Sequence, residues 1–450
     1  MSLIGSLAEF VSSLEAATLH ARVMEQVKMH ILDTIGAMLA GPHTPEGSAI
    51  GKFIESLDDQ ASHPVIGYSF GASLPHAVFA ECAATRCTEI DDIHLGSCTT
   101  PGSVVVPTAL SLAAAGHFQK SADMLCAIVA GYELLIRMGL AIDGPRVLYQ
   151  GVWPTYMGAP MASAAVTSRG LKLDTRTTAH ALAIALTMST GAAGRVKGPL
   201  SSRWITLGAA VEQGVIAALA ASQGFAGDEA LLDKDVGPLQ TTIKAKEKLV
   251  ESLGGEFLIT HTGLKPYPSS RQALAAIEAF KEILAVEGID PGSIDEIKVH
   301  VPTQYAAMID NAGLPGTRQE SLLGVQYQMA LAAFHPEILF DVNRELLPDE
   351  SDVVGFMKKV HVLASEELEK NFPAIWPAKV EVRSGERTVS RELLRPAWDS
   401  CEELGWEEIE AKFKRVAGPI VGRERSERLM EKVRTIDESE NPASLKELLT

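Results

Sequence analysis

From about Leu3 to Gly263 apolar residues return every three or four positions, with Gly and Pro at the breaks, and this pattern predicts a succession of helices. The clearest is His20–Ala40, where Val23, Val27, Ile31, Ile35 and Met38 make one stripe, Gly41-Pro42 ends it, and Asp33 interrupts the buried side. Further helices are predicted at Leu74–Thr88, Val105–Gly116, Ala122–Leu140, Thr155–Ser168, Thr175–Thr190 and Thr206–Gln223. Runs such as Ala162, Ala164, Ala165 and Ala209, Ala210 let such helices approach closely, so the stretch reads as a helix bundle.

After Lys265 two-residue alternation enters. Ile294–Val301 predicts a strand, Val360–Leu363 a weaker one, and Lys379–Val382 with Arg387–Arg391 flank Ser384-Gly385-Glu386 as a hairpin. Helices at Gln272–Val286, Ser321–Ala333 and Val353–Lys359 lie between them. Charged amphipathic helices follow at Trp406–Ala417 and Glu424–Ile436. The expected organisation is a mainly α protein with an α+β second domain: residues 1–264 helical, 265–396 α+β, and 397–450 helices packing back on the first domain.

Composition narrows the function. The 450 residues carry 57 Asp+Glu against 40 Lys+Arg, a formal charge of −17, which disfavours nucleic acid and anionic membrane surfaces as partners. An anionic substrate would need a local cluster of cations working against that field. Five scattered cysteines fit free thiols in a reducing compartment. The first two dozen residues lack a basic stretch followed by an apolar core, and the apolar runs stop short of the roughly 20 residues that span a bilayer. A cytoplasmic protein is expected. The spacings of dinucleotide and phosphate loops, zinc helices, paired thiols and nucleophile elbows are missing from the sequence, so nucleotide, structural-zinc and nucleophile-elbow readings lose most of their weight.

Three segments can carry chemistry. Asp91-Asp92-Ile93-His94 ends an apolar helix and opens a Gly/Ser/Thr loop, which can bring carboxylate and imidazole to a cleft; a metal site of Asp92, His94 and Cys98, or a helix cap with an exposed histidine, are the alternatives. Residues 194–206 place Lys197 and Arg203 beside a helix N-terminus, a natural anion site or else a solvated basic loop. His261-Thr-Gly-Leu-Lys265-Pro-Tyr267-Pro stands at the predicted domain boundary, where Lys265 could anchor a carboxylate or act as a base, unless the segment is a plain linker. Tyr156 and Tyr327 could supply phenolic protons, or could pack in the core.

These residues in this order resemble the MmgE/PrpD family, which includes 2-methylcitrate dehydratase, cis-aconitate decarboxylase and iminodisuccinate epimerase. The resemblance rests on His30-Ile-Leu-Asp-Thr-Ile-Gly36, Glu89-Ile-Asp-Asp-Ile-His94 with Pro101-Gly102 and Val106-Pro107, Gly151–Thr155, Leu207-Gly-Ala-Ala210 with Gly214, and Lys265-Pro-Tyr-Pro268. It implies a large helical domain with a smaller α+β lid, a homodimer, and cofactor-independent chemistry on a small di- or tricarboxylate. It also implies an active-site aspartate at Asp92 or Asp91, a boundary lysine at Lys265, a lid tyrosine at Tyr327 and a cation at Arg203, where the family commonly has lysine. Two family histidines are replaced here, by Thr100 before Pro-Gly and by Trp153, which leaves His94 and His261 as the candidate imidazoles; Tyr267 joins the predicted substrate contacts. The expected activity is that of a lyase, dehydration of a hydroxy-polycarboxylate first, with an epimerase, a decarboxylase or an inactive carboxylate-binding relative as alternatives.

Overall fold

The computed structural model describes residues 1–57, 62–191, 201–233, 243–399, 404–439 and 441–449. They form two compact units, one of residues 1–191, 201–264 and 404–449, the other of residues 265–399.

The first unit is helical. Pro154–Gly170 packs against both Ser121–Ala141 and Ser202–Ser222, and the second contact is possible because Gly214 has no side chain: a Cβ there would lie 2.2 Å from the Pro160 carbonyl oxygen. Ala21–Ala40 is buried along nearly its whole length and carries the helix Trp406–Val421 from the far end of the chain. Two predicted helices begin earlier than their apolar periodicity suggests. Gly102–Ala114 opens with Gly-Ser and Ser202–Ser222 with Ser-Arg, residues that a hydrophobic stripe does not mark. Arg203 consequently sits inside the first turn of its helix. Ser121–Ala141 and Ser202–Ser222 are each long and apolar enough to cross a membrane by length and composition, which the apolar runs in the sequence did not suggest; most of Ser121–Ala141 is buried in the helical core. Cys82, Cys87, Cys98 and Cys126 are buried free thiols, and Cys401 lies outside the described residues.

The second unit is α+β. Its four-stranded sheet has the order Val360–Ser365, Glu296–Pro302, Ala378–Ser384, Arg387–Leu393, with the first pair parallel and the others antiparallel. Ile297, Val299, Val301, Val380 and Val382 point to the buried face, and the helix Arg271–Glu287 packs against the hairpin strands. The helix predicted over Ser321–Ala333 is instead two, Arg318–Ser321 and Val325–Phe334. The break has a cause: the Leu322 carbonyl leaves the helical ladder to accept the Ser270 amide at 2.9 Å.

Candidate active site

In the helical unit, backbone bridges hold the loop after Leu74–Cys87: the Ile93 and Gly263 main chains exchange two hydrogen bonds of 2.9 Å, and His94 and Thr99 pair at the loop's neck. Asp91 and Asp92 are both fully buried here, and they face different surroundings.

Asp92 faces a filled pocket of donors. Its Oδ1 accepts the Gly102 amide at 2.8 Å, its Oδ2 accepts the Tyr132 hydroxyl at 2.7 Å, and His30 Nδ1 lies 3.1 Å from the same Oδ2. Gly102 can come so near because a Cβ would stand 2.7 Å from Thr34 Oγ1 and 3.0 Å from the Asp92 carboxyl carbon. One turn beyond His30, Asp33 Oδ1 meets Lys412 Nζ at 2.5 Å, and that ammonium also donates to the Ile90 carbonyl at 2.9 Å. Burial pushes the Asp33 carboxyl up against the pull of Lys412. With both its oxygens taken by protein donors, Asp92 is suited to holding the loop more than to moving protons.

Asp91 faces the other way, into a cluster of two guanidiniums. Arg86 Nη1 lies 3.3 Å from Asp91 Oδ1 and 2.8 Å from Glu89 Oε2, while Arg203 Nη2 lies 3.0 Å from Glu89 Oε1. Glu89 takes a left-handed backbone, φ 58°, to place its carboxylate between them, a conformation that costs a side-chain-bearing residue roughly 1–2 kcal/mol. Around these ions stand aromatic rings. The Arg203 guanidinium lies 4.0 Å from the Trp204 ring centre and 5.3 Å from Trp153, Arg86 lies 5.6 Å from Trp204, and Trp153 stacks on Tyr156 at 5.3 Å.

What distinguishes this cluster is unmet donors. Arg86 Nε, Arg203 Nε, Trp153 Nε1, Trp204 Nε1 and the Tyr156 hydroxyl are buried and have no hydrogen-bond partner among the described residues. Buried donors are ordinarily satisfied, so five together mark a candidate place for acceptors beyond the described residues. Burial pushes the Tyr156 phenol up to about 12, although Arg86 and Arg203 oppose it, and it therefore holds its proton at neutral pH. Burial also lowers Arg203 despite Glu89, whereas for Arg86 the Asp91 and Glu89 carboxylates outweigh burial and raise it.

His94 is buried in the same loop. Its Nδ1 accepts the Ser97 amide at 3.2 Å, so the ring proton sits on Nε2, and burial, reinforced by His261, pushes its pKa down to about 3. It is a neutral N–H donor and a weak base. Thr100 is tied to the segment after Trp153: its amide donates to Thr155 Oγ1 at 3.0 Å. His261 is half exposed and pairs with the exposed Glu256 at 2.8 Å. Lys197 lies outside the described residues.

The remaining predicted residues belong to the α+β unit. Lys265 is buried, the Tyr267 hydroxyl donates to Glu278 at 2.7 Å, and the Tyr327 oxygen accepts the Leu347 amide at 3.1 Å. Tyr267 is thus a structural strut, its phenol held well above 10 by burial and by Glu278. The metal alternative does not assemble: among the described residues no group of three or more His, Cys, Asp or Glu side chains is placed to hold an ion.

Residue patterns had left out Arg86, Glu89, His30, Tyr132 and Lys412. The available signals were a single arginine at the end of an apolar helix, a His-x-x-Asp pair on a buried face, and a lysine between Ile409 and Phe413 on the buried stripe of its helix.

Comparison with known proteins places the chain in a family. The MmgE/PrpD N-terminal domain matches residues 5–250 and the MmgE/PrpD C-terminal domain matches residues 267–438. Over 99% of its length the chain is 24% identical to a cis-aconitate decarboxylase-like protein of Aspergillus oryzae, covering 96% of that protein. It is also 24% identical to the cis-aconitate decarboxylases of Aspergillus terreus, over 98% of this chain and 95% of the relative, and of Homo sapiens, over 100% and 94%. With nearly the whole chain matched in order by the family's two domains, the protein belongs to the MmgE/PrpD family.

Proposed function

We propose that the protein is a lyase acting on a small di- or tricarboxylate, with the Arg86–Arg203 cluster receiving the substrate's carboxylate. The observation that carries this reading is a set of five buried donors without a partner among the described residues, the Nε of two guanidiniums and three aromatic N–H or O–H groups around them. Such preorganised donors stabilise negative charge developing beside a carboxylate, and they need no reorganisation as it develops. Glu89 and Asp91 keep the two arginines in place and balance their charge until the substrate arrives.

Two bond cleavages remain within this class. Dehydration removes a proton beside a carboxylate and a hydroxide from the neighbouring carbon, so it needs a base and an acid. Decarboxylation of an unsaturated acid breaks the carbon–carboxylate bond, leaves the electron pair on carbon and requires only that a proton be delivered there. Tyr156 keeps its proton at neutral pH and can deliver it, while His94, with its pKa near 3, is too weak a base to abstract one, which favours the second. The names of the relatives point the same way.

The test is proton NMR of the purified protein in deuterated water with cis-aconitate, citrate, 2-methylcitrate and a set of dicarboxylates. A product with one carboxylate fewer, carrying solvent deuterium, supports decarboxylation, and an olefin formed from a hydroxy acid supports dehydration. Exchange or a changed diastereomer without either product would replace the lyase by an epimerase. No change in any acid, with Arg203→Met equally silent, would leave a binding protein.

A further inference from the structure

Two lysines tie the C-terminal segment to the helix Ala21–Ala40. Lys28 Nζ reaches Asp437 at 3.2 Å and Glu25 at 2.5 Å near the surface. Lys412 does something different. From the buried face of Trp406–Val421, between Ile409 and Phe413, its ammonium reaches Asp33 and also the main chain at Ile90, the residue immediately before Asp91 and Asp92. Lys412 and Asp33 are 3% exposed each. The Ile90 carbonyl is thereby gripped by a residue more than 300 positions away, at the point where the loop divides into its two acids.

We infer that Lys412 is a positioning residue for the active-site loop: through the Ile90 carbonyl it fixes where Asp91 meets Arg86 and where Asp92 meets Tyr132 and the Gly102 amide. The C-terminal helices are then part of the site's framework, and the loop keeps its register only while they are docked. The inference rests on the reading of the Arg86–Arg203 cluster as the site, and its geometry stands apart from the substrate's identity.

Removing one partner of a buried ion pair threatens folding by itself, so the informative variant is Lys412→Met combined with Asp33→Asn, which removes both charges and the grip on Ile90. Lys28→Met is the control, since it cuts a different tie between the same two segments. Hydrogen exchange followed by mass spectrometry reads the peptide covering residues 88–103, which contains the Gly102 amide held by Asp92. In the double variant exchange there is expected to quicken about five-fold or more, the equivalent of losing one hydrogen bond, with the helix Ser121–Ala141 unchanged. Turnover of whichever panel acid the wild type converts is expected to fall at least about ten-fold in kcat with little change in KM, while Lys28→Met moves neither.

Unchanged exchange in residues 88–103, or equal quickening in Lys28→Met, would overturn the inference. So would faster exchange with full kcat, which would make Lys412 a purely structural residue. A wild type that converts no acid in the panel would remove the proposed lyase reading, while the exchange result would still decide whether Lys412 holds the loop.

Discussion

Asp91 and Asp92 are neighbours with the same side chain and the same complete burial, yet they belong to two different kinds of region. On the Asp92 side, a carboxylate is matched by the Tyr132 hydroxyl, the Gly102 amide and His30, and beyond it Asp33 is matched by Lys412. On the Asp91 side, two arginines are matched by two carboxylates, but their Nε groups and three donors around them have no hydrogen-bond partner among the described residues. Charge and burial alone do not separate scaffold from site. What marks the Asp91 side is a set of buried N–H and O–H donors without a hydrogen-bond partner among the described residues, each of which costs about 1–3 kcal/mol unless an acceptor meets it.

That distinction is open to direct attack. Tyr156→Phe should carry the largest effect on catalysis, a fall in kcat of about 10²–10⁴-fold, as expected for removal of a general acid. The same change should leave the thermal midpoint unchanged or higher, since it removes a buried hydroxyl that has no partner among the described residues. A lower midpoint with full activity would reverse the assignment. Asp92→Ala should do the opposite on the scaffold side, costing roughly 3–5 kcal/mol in denaturant unfolding because it strips Tyr132, His30 and the Gly102 amide of their shared acceptor.

A third buried carboxylate tests the scaffold through pH. Glu81 accepts the Ile66 amide at 2.7 Å and is hydrogen-bonded by the Ser111 hydroxyl, and burial pushes its pKa from 4.5 up to about 8. The folded state therefore keeps a proton that the unfolded state releases above pH 4.5. The stability this contributes is fully present below pH 4.5 and is lost as the pH rises through about 8. Thermal melts should accordingly fall between pH 6 and pH 9, and Glu81→Gln should flatten that fall; an unchanged slope would remove Glu81 as its source. The smallest effect belongs to Trp153→Phe, which keeps a ring over Arg203 and removes the indole N–H. KM should rise by about five-fold, one hydrogen bond's worth, with kcat nearly kept. An unchanged KM would mean that the indole packs without touching substrate.

Much of the helical architecture was legible in the sequence because it repeats: the stripe through Val23, Val27, Ile31 and Ile35 specifies a helix and its buried face together. The family was legible as well, from short motifs in the right order. What periodicity could not mark was an opening such as Ser-Arg, so the start of Ser202–Ser222 and with it the placement of Arg203 had to come from tertiary structure. The break at Leu322 was equally hidden, since its cause is a hydrogen bond to Ser270, far away in sequence. At the site, Asp91, Asp92, His94, Tyr156 and Arg203 were picked out by residue type. Their partners Arg86, Glu89, Tyr132 and Lys412 were not, because Arg86, Tyr132 and Lys412 sit on helices whose patterns explain them as ordinary until their contacts are known, and Glu89 sits in the loop just after one. Trp153 stood out in the sequence, where the resemblance expects a histidine, but the indole's stacking on Tyr156 beside Arg203 was not visible there.

The central claim is that the Arg86–Arg203 side is built to receive a carboxylate and the Asp92 side is not. Isothermal titration calorimetry with tricarballylate, a saturated tricarboxylate that offers neither a hydroxyl to lose nor a double bond, tests it without requiring turnover. The account predicts binding to the wild type, weakened at least about ten-fold in Arg203→Met and only slightly in Lys28→Met. Equal binding by the wild type and Arg203→Met, or no binding by the wild type, would contradict it.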